Sequence, residues 1–194
     1  LGSTDISALT TLVDGLSKQT GTIDGALKQV KNALGLDSAT DFTIIDPIAS
    51  TMNGDAASAR IYVESSKAMD AVILLGSAFA GMGADRSAAQ QAAFAAMVDM
   101  IAKNGTLNLS DKTTDASLIS SVAGTLGLDP GKIGNFLANT IASSSQLLDG
   151  RLADKGSMLP SGQRTEDNGL GVGEFDLHPS LPLQCSLYWL MTTP

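Results

Sequence analysis

The sequence predicts an all-α protein, a compact bundle of about six helices with a disordered or irregular C-terminal tail. Three observations carry that expectation. Alanine supplies 25 of the 194 residues while aromatic residues make up only 4%, and alanine is both the best helix former and the smallest core residue. Apolar side chains recur at three- and four-residue spacing through the first 150 positions. Aspartate and glycine stand where helices need starts and stops.

The first helix is expected over 5–18, with Ile6, Leu9, Val13 and Leu16 on one stripe. Gly21 interrupts it. The second spans 23–34, with Ile23, Leu27, Val30 and Leu34 on one face and Gly35 as the stop. Asp46-Pro47 marks another start, since Asp offers a capping oxygen and Pro tolerates the first helical position. A long central helix follows Asp55 and reaches about Phe79; its stretch 68–80 is apolar almost all round and predicts burial on every side. Gly81-Met82-Gly83 ends it, and Asp85 caps a helix over 87–103 whose inner face holds Ala89, Ala93, Ala96, Met97, Met100 and Ile101. Thr114 or Asp115 is expected to cap the next helix, with Leu118, Ile119 and Val122 inward. Asp129-Pro130 repeats the start signal for a last helix ending near Gly150, with Ile133, Phe136, Leu137, Ile141 and Leu148 inward. Ala33-Leu34-Gly35-Leu36-Asp37 and Thr125-Leu126-Gly127-Leu128-Asp129 echo one another. The simple reading is a shared helix ending, in which glycine takes the left-handed position, leucine packs back and aspartate caps what comes next; the other is duplication of a helical pair.

Composition changes near residue 150. No alanine lies beyond Ala153, whereas four of the six prolines, the single histidine (His178), the single cysteine (Cys185) and the single tryptophan (Trp189) all do. The chain therefore divides into a helical domain, 1–150, and a tail, 151–194.

These counts exclude a great deal. One cysteine and one histidine permit no disulfide within the chain, no Cys/His zinc site and no multi-histidine metallohydrolase. A net charge of -8, with Lys and Arg scattered singly, argues against a nucleic-acid partner. No stretch of about 18 apolar residues predicts a transmembrane segment, and no signal-peptide pattern opens the chain at Leu1.

Catalytic constellations are equally sparse. There is no Gly-x-Ser-x-Gly elbow, and Gly76-Ser77 falls within the central helix. A serine triad would have to recruit His178 from the tail, and Cys185 has no second histidine to activate it. Gly169-Leu170-Gly171-Val172-Gly173 lacks the strand, helix and Lys-Ser/Thr pair of a phosphate cradle. Asp70 and Asp99 lie on largely apolar helices, and Lys67 three residues before Asp70 predicts an ion pair between them. No catalytic or cofactor-binding residue is therefore assigned. The metal candidates are Asp37, Asp41, Asp46 and Asp55, hard oxygen donors grouped in one loop region and able to ligate Ca2+. The competing reading gives each of them a helix cap or a turn.

The stretch from Leu9 to Ala59 carries a family resemblance. Ala8-Leu9-Thr10-Thr11-Leu12-Val13 resembles the Pro-Leu-Thr-Thr-Leu-Val opening of a helical module in very large bacterial secreted and surface proteins, with Ala8 in place of the usual proline. Those proteins carry calcium-binding nonapeptide (repeats-in-toxin) or cadherin-like repeats. The similarity continues through Val30-Lys31-Asn32-Ala33-Leu34-Gly35-Leu36, Asp41-Phe42-Thr43, Asp46-Pro47-Ile48-Ala49 and Gly54-Asp55. No calcium-binding nonapeptide occurs here, so the family's calcium sites map to no residue of this chain. The resemblance implies a secreted or cell-surface location and a non-catalytic module serving as spacer, adhesion or assembly element. Its partners would be other domains of a larger chain or surface partners. The alternative is a fragmentary ester or lactone hydrolase, calcium-dependent, of the kind that degrades acyl-homoserine lactones.

Glu174-Phe175 is the dipeptide that a common cloning-site hexamer encodes, and the composition after it is unrelated to the rest. Residues after Phe175 are therefore expected to be vector-derived. Comparing the end of the cloned insert with the vector checks this, and genomic coding that runs unbroken past Phe175 would refute it.

Overall fold

Helix-forming segments with one apolar stripe can bury it only against one another, and this chain does so with seven helices and no strand among the described residues. The computed structural model describes residues 7–39, 41–43, 46–52 and 54–153, all within the compact unit Leu1–Arg164. In order, the helices are α1 (Ala8–Thr20), α2 (Ile23–Ala33), α3 (Pro47–Met52), α4 (Ala56–Gly81), α5 (Arg86–Asn104), α6 (Lys112–Leu126) and α7 (Gly131–Ala153). The tail from residue 154 onward, including His178, Cys185, Trp189 and the Gly169–Gly173 stretch, lies outside the described residues, as do Asp5, Ile6 and Asn53.

Capping fixes the boundaries. Ser7 opens α1 with a capping box: its Oγ accepts from the Thr10 amide at 3.2 Å, and the Thr10 hydroxyl oxygen accepts from the Ser7 amide at 2.9 Å. Asp55 and Asp85 cap α4 and α5 as the sequence predicts, accepting from the amides of Ser58 (2.9 Å) and Ala88 (2.8 Å). The two echoing segments both close as Schellman turns. Leu36 N–H reaches Lys31 O at 2.8 Å and Leu128 N–H reaches Ala123 O at 2.9 Å, with Gly35 at φ 62° and Gly127 at φ 66°.

Helices α4 and α5 form the centre. They run as an antiparallel hairpin in which Gly76 lies against Gln90. Helix α4 also touches α1, α3 and α7, while α5 also touches α1, α2 and α6. Phe79, Leu75, Met97 and Ile101 from this pair are fully enclosed together with Leu9, Leu12, Leu16, Leu118, Ile119 and Ile141. At the crossing of α1 and α5, Gly15 leaves no room for more: a Cβ there would stand 2.7 Å from Val98 Cγ2. The main chain adds one further tie, from Leu107 N–H to Ala33 O at 3.0 Å, which joins the α5–α6 loop to the end of α2.

Three expectations are corrected. Helix α6 begins at Lys112 and is capped by Asp111, not by Thr114 or Asp115, because the Asp111 carboxylate takes both the amide and the hydroxyl of Thr114 (3.0 and 2.9 Å). Phe136 does not face inward. It is 73% exposed, since the inner stripe of α7 runs through Leu137, Ala138, Ile141, Ala142 and Ser145 and a residue one position before Leu137 points away. The middle of α4 is not buried on every side either, because Met69 and Ser77 are exposed.

Glycine supplies a paired test of packing against propensity. Gly15→Val is expected to destabilise by about 1–3 kcal/mol through overpacking against Val98. Gly124→Ala, at a helical position with no atom near the new methyl, is expected to stabilise by about 0.5–1 kcal/mol. Urea denaturation of both variants measures the two signs.

Candidate functional site

Charge is almost entirely kept outside this fold, so the few charged side chains that enter it mark its most specific chemistry. Lys31, Glu64, Lys67 and Asp115 are the buried ones among the described residues. Lys31 lies near the end of α2 and donates from Nζ to Ser38 O at 3.0 Å, tying down the loop beyond its own helix. Asp115 lies in the first turn of α6, and Glu64 and Lys67 meet Asp149 where α4 and α7 pack.

Lys67 is the centre of that junction. Its stem lies along α4 and its ammonium, on a side chain only 4% exposed, reaches Glu64 Oε1 at 3.0 Å and Asp149 Oδ1 at 2.5 Å. Glu64 sits one turn back on the same helix face. Asp149 comes from α7, which runs antiparallel to α4. Its second oxygen accepts from Ser110 Oγ at 2.6 Å, and Gln146 Nε2 donates to Ser110 O at 3.0 Å. The α5–α6 loop is thus fastened to α7 at the same point where α7 is fastened to α4. Burial pushes the Asp149 carboxyl up, but hydrogen bonds from Lys67 and Ser110 and the positive charges of Lys67 and Arg60 hold it below the ordinary carboxylate range.

Burial acts on two further carboxyls. Asp70, one turn along α4, is half-buried. Burial raises it above its usual value against an opposing hydrogen bond from Ser144 of α7. The expected Lys67–Asp70 pair is therefore replaced, because Lys67 turns toward Glu64 and Asp149 while Asp70 meets α7 through a hydroxyl. Asp115, in the first turn of α6, is wholly enclosed and neither oxygen has a hydrogen-bond partner. Burial first, and the negative charge of Asp111 second, push it up to about 8. Asp99, the other carboxyl noted on an apolar helix, is a surface group that accepts from Gln19 at 3.1 Å and pairs with Lys103 at 3.4 Å.

The four loop carboxylates are engaged locally. Asp37 Oδ1 accepts from Ala39 N–H, Asp41 Oδ1 from Thr43 N–H, and Asp46 Oδ1 from Ile48 N–H, each at 2.9 Å. Asp55 binds both the amide and the hydroxyl of Ser58. Hydrogen bonds from Thr43 and Ser58 hold Asp41 and Asp55 below their ordinary value. Among the described residues no three acidic, His or Cys side chains are grouped so as to hold a metal ion.

Sequence reasoning did not find the Lys67–Asp149 link. The available signal was Lys67 itself, a lysine in register with the apolar positions Ala68, Ala71 and Leu75 of a helix expected to be buried. Its partner lies 82 positions away, and no local pattern points to it. Compared with protein-family models, with curated proteins and with solved structures, the chain matches none.

Removing one side of a buried ion pair leaves the other charge uncompensated. Lys67→Ala is expected to lower stability by about 3–5 kcal/mol, whereas Lys18→Ala, at the exposed Lys18–Asp14 pair, should change it by less than about 1 kcal/mol. Chemical denaturation of the two variants separates the cases.

Proposed function

We propose that this chain is a non-catalytic helical module of a large secreted or cell-surface bacterial protein, acting as a spacer, adhesion or assembly element. The observation that supports it most is the use made of buried charge. Lys67, Glu64 and Asp149 satisfy one another across α4 and α7, and Ser110 adds the α5–α6 loop. Groups that an active site would present to a substrate are consumed here in joining helices. A second feature fits an assembly role. Phe136 and Leu147 are 73% and 71% exposed and stand eleven residues, about three helical turns, apart on one side of α7. Paired with the domain next to it in a longer chain, that strip would be covered. Calcium acting through the loop aspartates Asp37, Asp41, Asp46 and Asp55 would have to compete with the local amide that each of them accepts.

Titrating calcium while following melting temperature and hydrolysis of a chromogenic ester and an acyl lactone tests this. Calcium-dependent stabilisation without turnover is the expected outcome. Turnover that is abolished by chelation and lost in Asp46→Asn would replace the reading with the lactone-hydrolase alternative. Absence of both effects would leave a helical domain that binds a protein partner without calcium.

A further inference from the structure

Asp115 occupies a position that the helix reserves for an apolar side chain. It lies in line with Leu118, Ile119 and Val122, at three-, four- and seven-residue spacing, and all three are enclosed as it is. The cap explains how it came there. Asp111 starts α6, so the residue four positions later stands one full turn inside, facing the core. Among the described residues it is the enclosed ionisable group whose oxygens have no donor at all. Glu64 and Lys67 are compensated, and Asp115 is not. An unpartnered carboxyl in such a setting is held as the neutral acid, because ionising it would place a bare charge in an apolar interior.

We propose that Asp115 is a proton-binding site that makes the start of α6 a pH-sensitive latch: with the proton bound this end of the helix stays closed, and on losing it the first turn moves out to water. The last tie before α6 would go with it. Ser110, five residues earlier, is held to Asp149 at 2.6 Å and through its carbonyl to Gln146 at 3.0 Å. Leu107 and Leu109, each 2% exposed, lie in the same loop and would be uncovered.

The charged surroundings favour the neutral form. Asp111, on the preceding turn, is the charge that acts on Asp115, and it is negative. Helices α5 and α7 pack against α6. From α7, Asp149 approaches this end but spends its charge on Lys67 and Ser110, and Arg151 is exposed. From α5, Asp99 and Lys103 pair with each other, and Asp99 also reaches Gln19 of α1, on a different side. Arg86 is exposed at the start of α5.

The sign of the pH effect follows. Unfolded, Asp115 loses its proton near the ordinary aspartate value of about 4; folded, it keeps the proton to about 8. Between those values the folded state holds one more proton than the unfolded state, so stability falls as pH rises and levels off above the folded value. Asp70 contributes in the same direction from the same starting value. Asp41, Asp55, Asp111 and Asp149 are shifted downward, so their contributions are lost only as pH falls below about 4, outside this window.

The experiment compares the wild-type chain with Asp115→Asn in urea from pH 5 to 9. The wild-type unfolding constant is expected to rise about tenfold more per pH unit than that of the variant between pH 5 and 7.5, with the difference flattening above about pH 8. Amide exchange over residues 107–115, relative to α4, should accelerate above pH 8 in the wild type only. Should Asp115→Asn fold poorly, Asp111→Asn keeps a capping oxygen while removing the neighbouring charge. It should move the native titration of the Asp115 carboxyl, followed by carbon NMR, to lower pH. Equal slopes in wild type and variant, or a native Asp115 carboxyl that titrates near 4, would overturn the proposal.

Discussion

Helix α4 must be buried against α1, α3, α5 and α7 at once, and the remaining architecture answers to that demand. A polar group enclosed on such a helix needs a partner, from its own helix or from a neighbour. Alanine makes the close approaches possible: Ala68 and Ala71 on α4 and Ala89, Ala93 and Ala96 on α5 are all enclosed. Small side chains bring the axes together, and Phe79, Leu75 and Met97 then fill the space with few aromatic residues required.

Lys67 follows from the same demand. On a solvated helix it would be a solubilising charge; on α4 it is enclosed and must be met by Glu64 from its own helix and Asp149 from α7. Isolated ion pairs of this kind seldom add much net stability over a well-packed apolar contact. Their contribution is to register, because the second carboxylate on Lys67 comes only from Asp149, and this favours one alignment of α7 on α4. Ser110 extends the choice to the α5–α6 loop, so three segments distant in the chain meet in one arrangement. The surface pairs Lys18–Asp14 and Lys103–Asp99 impose no such selection, being exposed and within single helices.

The start of α6 illustrates opposite uses of aspartate. Asp111 lies at the entry to α6 and Asp129 at the entry to α7, each accepting a backbone amide. Asp115, four residues from the first, is in the core without a donor. The residue type is the same and the spacing along the chain is one turn. Burial alone separates a cap from a proton-binding group.

Much of this fold is legible in the order of residues. Periodicity, Asp caps at 55 and 85, the Asp46-Pro47 start and the Gly35 and Gly127 endings all act within a few positions, through hydrogen bonds between residues close in the chain. What local signals could not decide is which of two adjacent residues faces inward on α7, where Leu137 is taken and Phe136 left out, and which of several aspartates caps α6. Nor could they pair Lys67 with a carboxylate 82 positions away. Those outcomes depend on how helices cross, since burial and the partner of a charge are properties of the space between elements and not of any one of them.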